Sequence, residues 1–178
     1  MPTAIALLRA VNVGGRSVKM AALVSLAREM GFQNPRTLLQ SGNLVFETAE
    51  TADGALEARL EAAAQPRFGF PIDFICRTAA EWRELIAGNP FPDAAKADPA
   101  RLLATLLKRS PPDGGMETLR AAIKGREQAA LAGRTLYVVY PDGIGRSRLT
   151  GAVIERHLKG QGTARNWNTV LKLADMLD

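Results

Sequence analysis

The stretch PRTLLQSGNLVFET, residues 35–48, constrains this chain more than any other. It reads as two short strands around Gly42–Asn43. Glycine takes a positive φ without penalty and asparagine tolerates one, so the pair predicts a tight hairpin. On one side lies the helical pattern MAALVSLAREMG (20–31), with Leu23, Leu26, Ala27 and Met30 at spacings of three and four and Gly31 as a natural helix stop. On the other lies DGALEARLEAAAQPRFG (53–69), with Leu56, Leu60, Ala63 and Ala64 on one side. Apolar strands flank the whole, TAIALLR (3–9) and FPIDFIC (70–76). A hairpin bracketed by helices and then by strands gives the order β-α-β-β-α-β, the ferredoxin-like split βαβ unit.

A third helix, TAAEWRELIAG (78–88), precedes a proline-rich connector, NPFPDAAKADP (89–99), that marks a boundary. The pattern then restarts. RLLATLLK (101–108) is a strand, GGMETLRAAIKG a helix, and EQAALAGRTLYVVY a second hairpin around Gly133. SRLTGAVIERHL (147–158) is a helix, and NWNTVLKLADML (166–177) is helical by the spacing of Trp167, Val170, Leu171, Ala174 and Leu177. The second half therefore reads β-α-β-β-α, with no eighth strand before the last helix. SGNLVF and AGRTLY occupy equivalent places, which points to a structural duplication. The expected fold is α+β: two similar ferredoxin-like halves, residues 1–90 and 100–178, packed together with extra helices.

The strands are apolar on both faces. Ile5 and Leu7 alternate with Ala4, Ala6 and Leu8, and LLATLL and TLYVVY behave alike. A sheet with one wet face would alternate polar residues there, so the second face must also be covered. The helices at 78–88 and 166–177 are available for this within the chain.

Scarcity narrows the chemistry. The 178 residues include one histidine, His157, and one cysteine, Cys76. A structural zinc site needs four Cys or His ligands, so none can form within one chain. A Ser–His–Asp triad would have to use His157, and no G-x-S-x-G elbow is present. Cys76 ends an apolar strand, where a buried inert thiol is the commoner case, and His157 reads as a boundary residue of its helix. No metal or other cofactor is expected. A lone cysteine suits a reducing cytoplasm, no apolar run approaches the roughly 20 residues of a membrane helix, and the N-terminus lacks a secretory signal pattern. The net charge of +5 favours anionic partners.

Topology places the polar groups. In a β-α-β-β-α-β unit, the loop after strand one and the hairpin turn lie at the same end of the sheet. Arg9, Asn12, Gly14, Gly15, Arg16 and Lys19 therefore face the same space as Gln40, Ser41 and Asn43. Paired glycines can turn backbone N–H groups towards an anion, and the loop feeds a helix N-terminus whose dipole favours negative charge. Arg9 offers a bidentate fork and Lys19 a point charge. The loop is neither a P-loop nor a G-x-G-x-x-G turn. Two further stretches are unusually polar: DGIGRSRLT, with Arg146 and Arg148 around a Ser147 placed to cap a helix at 148, and GTARNWNTV, with Arg165 and Asn166 beside Trp167.

The segments IALLRAVNVGGRSVKM, LLQSGNLVF, NPF, GRSRLT and TARNWNTVLKL resemble, in the same order, the uncharacterised bacterial family known as domain of unknown function sixteen ninety-seven. Its first motif looks like ALLRGINVGG-x-x-x-VKM, its second like YIQSGNVVF and its last like T-x-RNWNTV-x-KL. Here Ala10 replaces the usual glycine, Leu39 the usual isoleucine, and Arg148 a position often lysine. The resemblance implies two similar ferredoxin-like halves. It also implies that Arg9, Asn12, Gly14, Gly15, Lys19, Gln40, Ser41, Gly42, Asn43, Arg165, Asn166 and Trp167 belong to a family signature. It supplies no function.

Three functions compete. The first is a binding module for a small phosphate- or nucleotide-like anion, using the rim residues with Arg148, Arg165 and Asn166. The second is nucleic-acid binding through phosphates; against base stacking, the RNP1 motif is missing and strand three has only Phe46. The third is an enzyme with Ser41 activated by Lys19 and Asn12 or Asn43 donating to an oxyanion. The oligomeric state is not written in the sequence, and no membrane partner is expected.

Overall fold

The structure is a computed structural model that describes residues 1–177. Two compact units divide the chain: Met1–Arg83 with the C-terminal stretch from Leu173, and Glu84–Lys172. Each unit carries a four-stranded antiparallel sheet, so the chain has two similar α+β halves.

In the first unit, β1 (Thr3–Leu8) is central. It pairs with β3 (Asn43–Glu47) on one side and β4 (Phe74–Thr78) on the other, and β2 (Gln33–Thr37) completes the order β2-β3-β1-β4. Helices α1 (Met20–Glu29) and α2 (Gly54–Phe68) pack on the face that carries Ala4, Ala6 and Leu8. Leu23, Leu26 and Ala27 of α1, and Leu56, Leu60 and Ala64 of α2, meet Leu44, Phe46 and Phe74 there. Ile5, Leu7, Val45 and Ile75, on the other face, are equally inaccessible. Both faces are thus buried, as strands apolar on both sides require. Gly31 ends α1 as expected: at φ 88°, its N–H bonds to Arg28 O and that of Phe32 to Ala27 O, a Schellman ending. Asp53 caps α2 by accepting from Ala55 and Leu56 N–H.

After α3 (Ala79–Ala87) and a short α4 (Pro92–Ala97), the second unit repeats the scheme. Central β5 (Leu102–Leu107) pairs with β7 (Thr135–Val139) and β8 (Gly162–Asn166), and β6 (Gln128–Ala132) is the far edge. Helices α5 (Gly115–Ala122) and α6 (Gly151–Leu158) complete it, and α7 (Trp167–Asp175) follows β8 without a break. No helix of the described residues is long and apolar enough to cross a membrane.

The duplication extends to individual hydrogen bonds. Leu8 N–H donates to Gly42 O as Leu107 N–H does to Arg134 O, and Arg9 N–H to Asp73 O as Lys108 N–H does to Gln161 O. Edge protection repeats too. The outward N–H groups of β4 at Phe74 and Cys76 donate to carboxylates of Glu61 and Glu57, one helical turn apart on α2. On β8, Gly162 N–H donates to Glu155 of α6. These carboxylates occupy donors that would otherwise offer an open edge to another chain.

Four expectations need correction. An eighth strand exists: β8 is polar, GTARN, and hides Thr163 and Arg165 rather than apolar residues, so hydrophobic alternation cannot reveal it. Strand four begins at Phe74 rather than Phe70. Helix α6 starts at Gly151, capped by Thr150, because Ser147 instead accepts from Leu149 N–H and donates to Glu127. The first hairpin is not a tight two-residue turn. Residues 38–42 form its connection, and Asn43 is already a buried residue of β3 paired with Leu7. SGNLVF and AGRTLY consequently align with a one-residue offset, Asn43 matching Thr135, each opposite the residue before the last of its central strand.

Candidate functional site

The loop after β1 and the β2–β3 connection meet at one rim of the first unit. Leu8 N–H reaches Gly42 O at 2.9 Å. Gly42 sits at φ 88°, and a Cβ there would lie 2.8 Å from Leu8 Cβ and 2.9 Å from Val11 Cγ2, so only glycine permits this approach. Asn12 completes the joint. Its Nδ2 donates to Val18 O at 3.0 Å and Gln40 O at 2.5 Å, while its Oδ1 accepts from Val18 N–H at 2.9 Å. One side chain thereby closes the 12–18 loop on itself and ties it to the hairpin.

That loop is conformationally expensive. Ala10, Asn12, Gly14 and Gly15 all have positive φ, at 55°, 57°, 56° and 79°. Leu39, across the joint, is at 61°. Such positions persist only where surroundings over-determine them. Arg16 supplies part of that hold: Nε donates to Ala10 O at 3.0 Å, a terminal NH2 to Pro71 O at 2.5 Å, and the guanidinium lies 4.7 Å from the Phe70 ring centre. Arg9 stands 3.7 Å from the Asp73 carboxylate. Asn43 Nδ2 donates to Leu38 O and to Ser41 Oγ.

The expected site residues therefore split into two groups. Arg9, Asn12, Arg16, Ser41 and Asn43 are engaged in building the rim. Gly14, Gly15, Lys19 and Gln40 are exposed. No acceptor among the described residues takes the N–H groups of Gly14 and Gly15, and the side chains of Ser17, Lys19 and Gln40 make no hydrogen bond or ion pair with the described residues. A concavity of about 230 Å³ is lined by Asn12, Gly15, Arg16 and Ser17. Lys19 is the N-cap residue of α1, makes no capping bond, and is followed by no acidic residue in the first turn. Ser17 is the one member of this group that sequence reasoning passed over; its place between Arg16 and the helix start was the available signal.

The other three expected residues belong to the second unit. Asn166 Oδ1 accepts from Thr169 N–H and caps α7. Arg165 is buried, donates to Thr163 Oγ1 and Ala164 O, and is pulled down to about 10 by desolvation, so it stays cationic at neutral pH. Its counterpart in the first unit is Arg77, likewise buried, preceding Thr78, which forms a reciprocal capping box with Glu81 at the start of α3. The motifs CRTAAEW and ARNWNTV are thus one structural device used twice. Arg148 is exposed, next to Ser147, whose hydroxyl donates to Glu127 and holds that carboxyl below its ordinary range. Tyr140 closes the same loop by donating to Leu149 O at 2.9 Å; burial, and then the nearby Glu127 charge, push its hydroxyl up to about 12. Among the described residues, no three of His, Cys, Asp and Glu gather to hold a metal.

A duplicated α+β scaffold with a pinned polar rim is the class of protein these features define. The chain belongs to the family described as protein of unknown function (DUF1697), whose profile matches residues 1–137. Its fold is similar to that of a conserved bacterial protein from Streptococcus pneumoniae, with a TM-score of 0.76 at 16% sequence identity over 99% of each chain. No curated protein matches the sequence.

Proposed function

We propose that this chain binds a small phosphate- or nucleotide-like anion at the rim formed by Asn12–Lys19 and Gln40. One observation carries the reading: beside a concavity lined by Gly15 and Ser17, the N–H groups of the exposed residues Gly14 and Gly15 have no acceptor among the described residues. Successive N–H groups in a turn form an anion-binding cradle. The α1 N-terminus, with Lys19 rather than an acid beside it, adds a field of the same sign. A cation at that position costs the helix stability, and a bound anion would offset the cost. Arg9 and Arg16 hold the loop in shape, while Gly14, Gly15, Ser17 and Lys19 meet the ligand.

Titration calorimetry with inorganic phosphate and a panel of nucleotides tests this. Binding that weakens on raising salt and falls at least about tenfold in Lys19→Ala and in Gly15→Ala is expected, since a charge-assisted contact is worth roughly 1.5–3 kcal/mol. Undiminished binding in both variants would overturn it.

A further inference from the structure

We infer that β6 is an interface strand: two copies of this chain pair β6 to β6, antiparallel about a twofold axis through Ala130, and so join their second-unit sheets into one. The inference is independent of the rim and of the anion reading.

Strands β2, β4, β6 and β8 lie at sheet edges, and three of them are blunted. Outward N–H groups of β4 and β8 are held by Glu57, Glu61 and Glu155. β2 contains Pro35 and shifts register between Gln33 and Arg36, and Arg36 donates to Met176 O at 2.9 Å. β6 has no such device. Its sequence, QAALA, carries neither charge nor proline, and its register with β7 runs unbroken from Gln128 opposite Val139 to Ala132 opposite Thr135. The open side of β6 follows from β7. Leu107 N–H donates to Arg134 O and Tyr140 N–H to Arg101 O, so Arg134, Leu136, Val138 and Tyr140 turn their backbone groups towards β5. Thr135, Tyr137 and Val139 then bond to Ala132, Ala130 and Gln128, which leaves Ala129 and Leu131 directing N–H and C=O away from the sheet. Among the described residues, no acceptor takes either N–H.

The strand is complementary to itself. With the axis through Ala130, Ala129 stands opposite Leu131 of the second copy. The two exchange both backbone hydrogen bonds, and the symmetry repeats the exchange, so no outward group of the strand is left over. Side chains agree. Ala129 and Leu131 pack, with Ile123, against the cluster that holds Val138. A concavity of about 480 Å³ is lined by Ile123 and Ala129. Pairing sets the large Leu131 of the second copy opposite the small Ala129, beside that concavity. Charge does not oppose the pairing: no residue of the strand is charged, and at each end Arg134 meets an Arg126 that is already bonded to Asp142. A pairing this short makes a concentration-dependent dimer rather than an obligate one.

Sedimentation velocity on the full chain at rising concentration tests this, with Ala129→Pro and Leu131→Lys as edge variants. Proline at 129 removes an outward donor and leaves every bond to β7 in place; lysine at 131 puts a charge on the edge. The wild type should pass from monomer to dimer. Either substitution should weaken dimerisation at least about tenfold, since each dimer loses two backbone hydrogen bonds or gains two charges. Oxidation of single-cysteine variants with diamide reads the register and does not depend on the edge variants folding. Ala130→Cys should cross-link to itself, because residues facing each other across the axis stand about 4.5 Å apart at Cα, within disulfide reach. Gln128→Cys and Ala132→Cys should each fail alone and link when mixed, because each stands opposite the other. Cys76 is buried and does not compete. A wild type that stays monomeric at every concentration would overturn the inference and leave the edge to a different extended chain. A dimer that both edge variants retain, or a Gln128→Cys chain that links to itself as readily as Ala130→Cys, would place the interface elsewhere and overturn it too.

Discussion

Replacing Asn12 tests whether one side chain joins the two loops. In Asn12→Gly the three hydrogen bonds to Val18 and Gln40 are lost, while glycine accepts φ 57° freely. At an exposed residue each bond is worth the lower part of its range, about 0.5–1 kcal/mol, so the loss is about 1.5–3 kcal/mol. Asn12→Ala loses the same bonds and adds a left-handed penalty of roughly 1–2 kcal/mol. Part of that difference is offset because glycine gives the unfolded chain about 0.4–1 kcal/mol more entropy to lose. Alanine should therefore be worse than glycine by about 0.5–1 kcal/mol. Urea denaturation measures both, and amide exchange adds a local readout, because Val18 N–H loses its acceptor and should exchange faster. Losses below about 0.5 kcal/mol in both variants, or alanine equal to glycine with Val18 still protected, would refute the joint.

Other consequences follow from the same geometry. Ala10→Gly should stabilise the protein by about 0.5–1 kcal/mol, because alanine at φ 55° carries a left-handed cost that exceeds the entropy glycine forfeits; a thermal melt reads the gain. Glu57→Ala should cost about 1–3 kcal/mol by leaving the Cys76 N–H without its buried acceptor, and the Cys76 amide should then exchange faster. Tyr140 has a hydroxyl whose folded pKa is raised above the ordinary value near 10, so the stability it contributes is present below that pH and lost as pH rises towards 12. Denaturation between pH 9 and 12 should show this loss, and Tyr140→Phe, weakened by the missing bond to Leu149 O, should lack that part of it.

Much of this architecture is readable because apolar periodicity and turn chemistry agree. The first unit follows from Leu23–Leu26–Ala27, Leu56–Leu60 and the hairpin glycine. The common rim follows from topology alone, since strands β1 and β2 run to the same end. Strand β8 escapes because its inward residues are Thr163 and Arg165, polar groups satisfied by hydrogen bonds that only the folded chain supplies. Which rim cations remain outward is equally illegible: Arg9, Arg16 and Lys19 look alike in sequence, yet Arg16 is fixed by Ala10 O and Pro71 O, a carbonyl 55 residues away. Ala10 is the informative exception. Glycine is usual there in the family signature, and a backbone at φ 55° supplies the reason.

The anion reading stands or falls most directly on the backbone amides of the loop. In a nitrogen–proton correlation spectrum titrated with inorganic phosphate, the Gly14 and Gly15 resonances should shift saturably and together, with Ser17 following. Shifts that never saturate, or that spread over scattered arginines while those two glycines stay still, would contradict it.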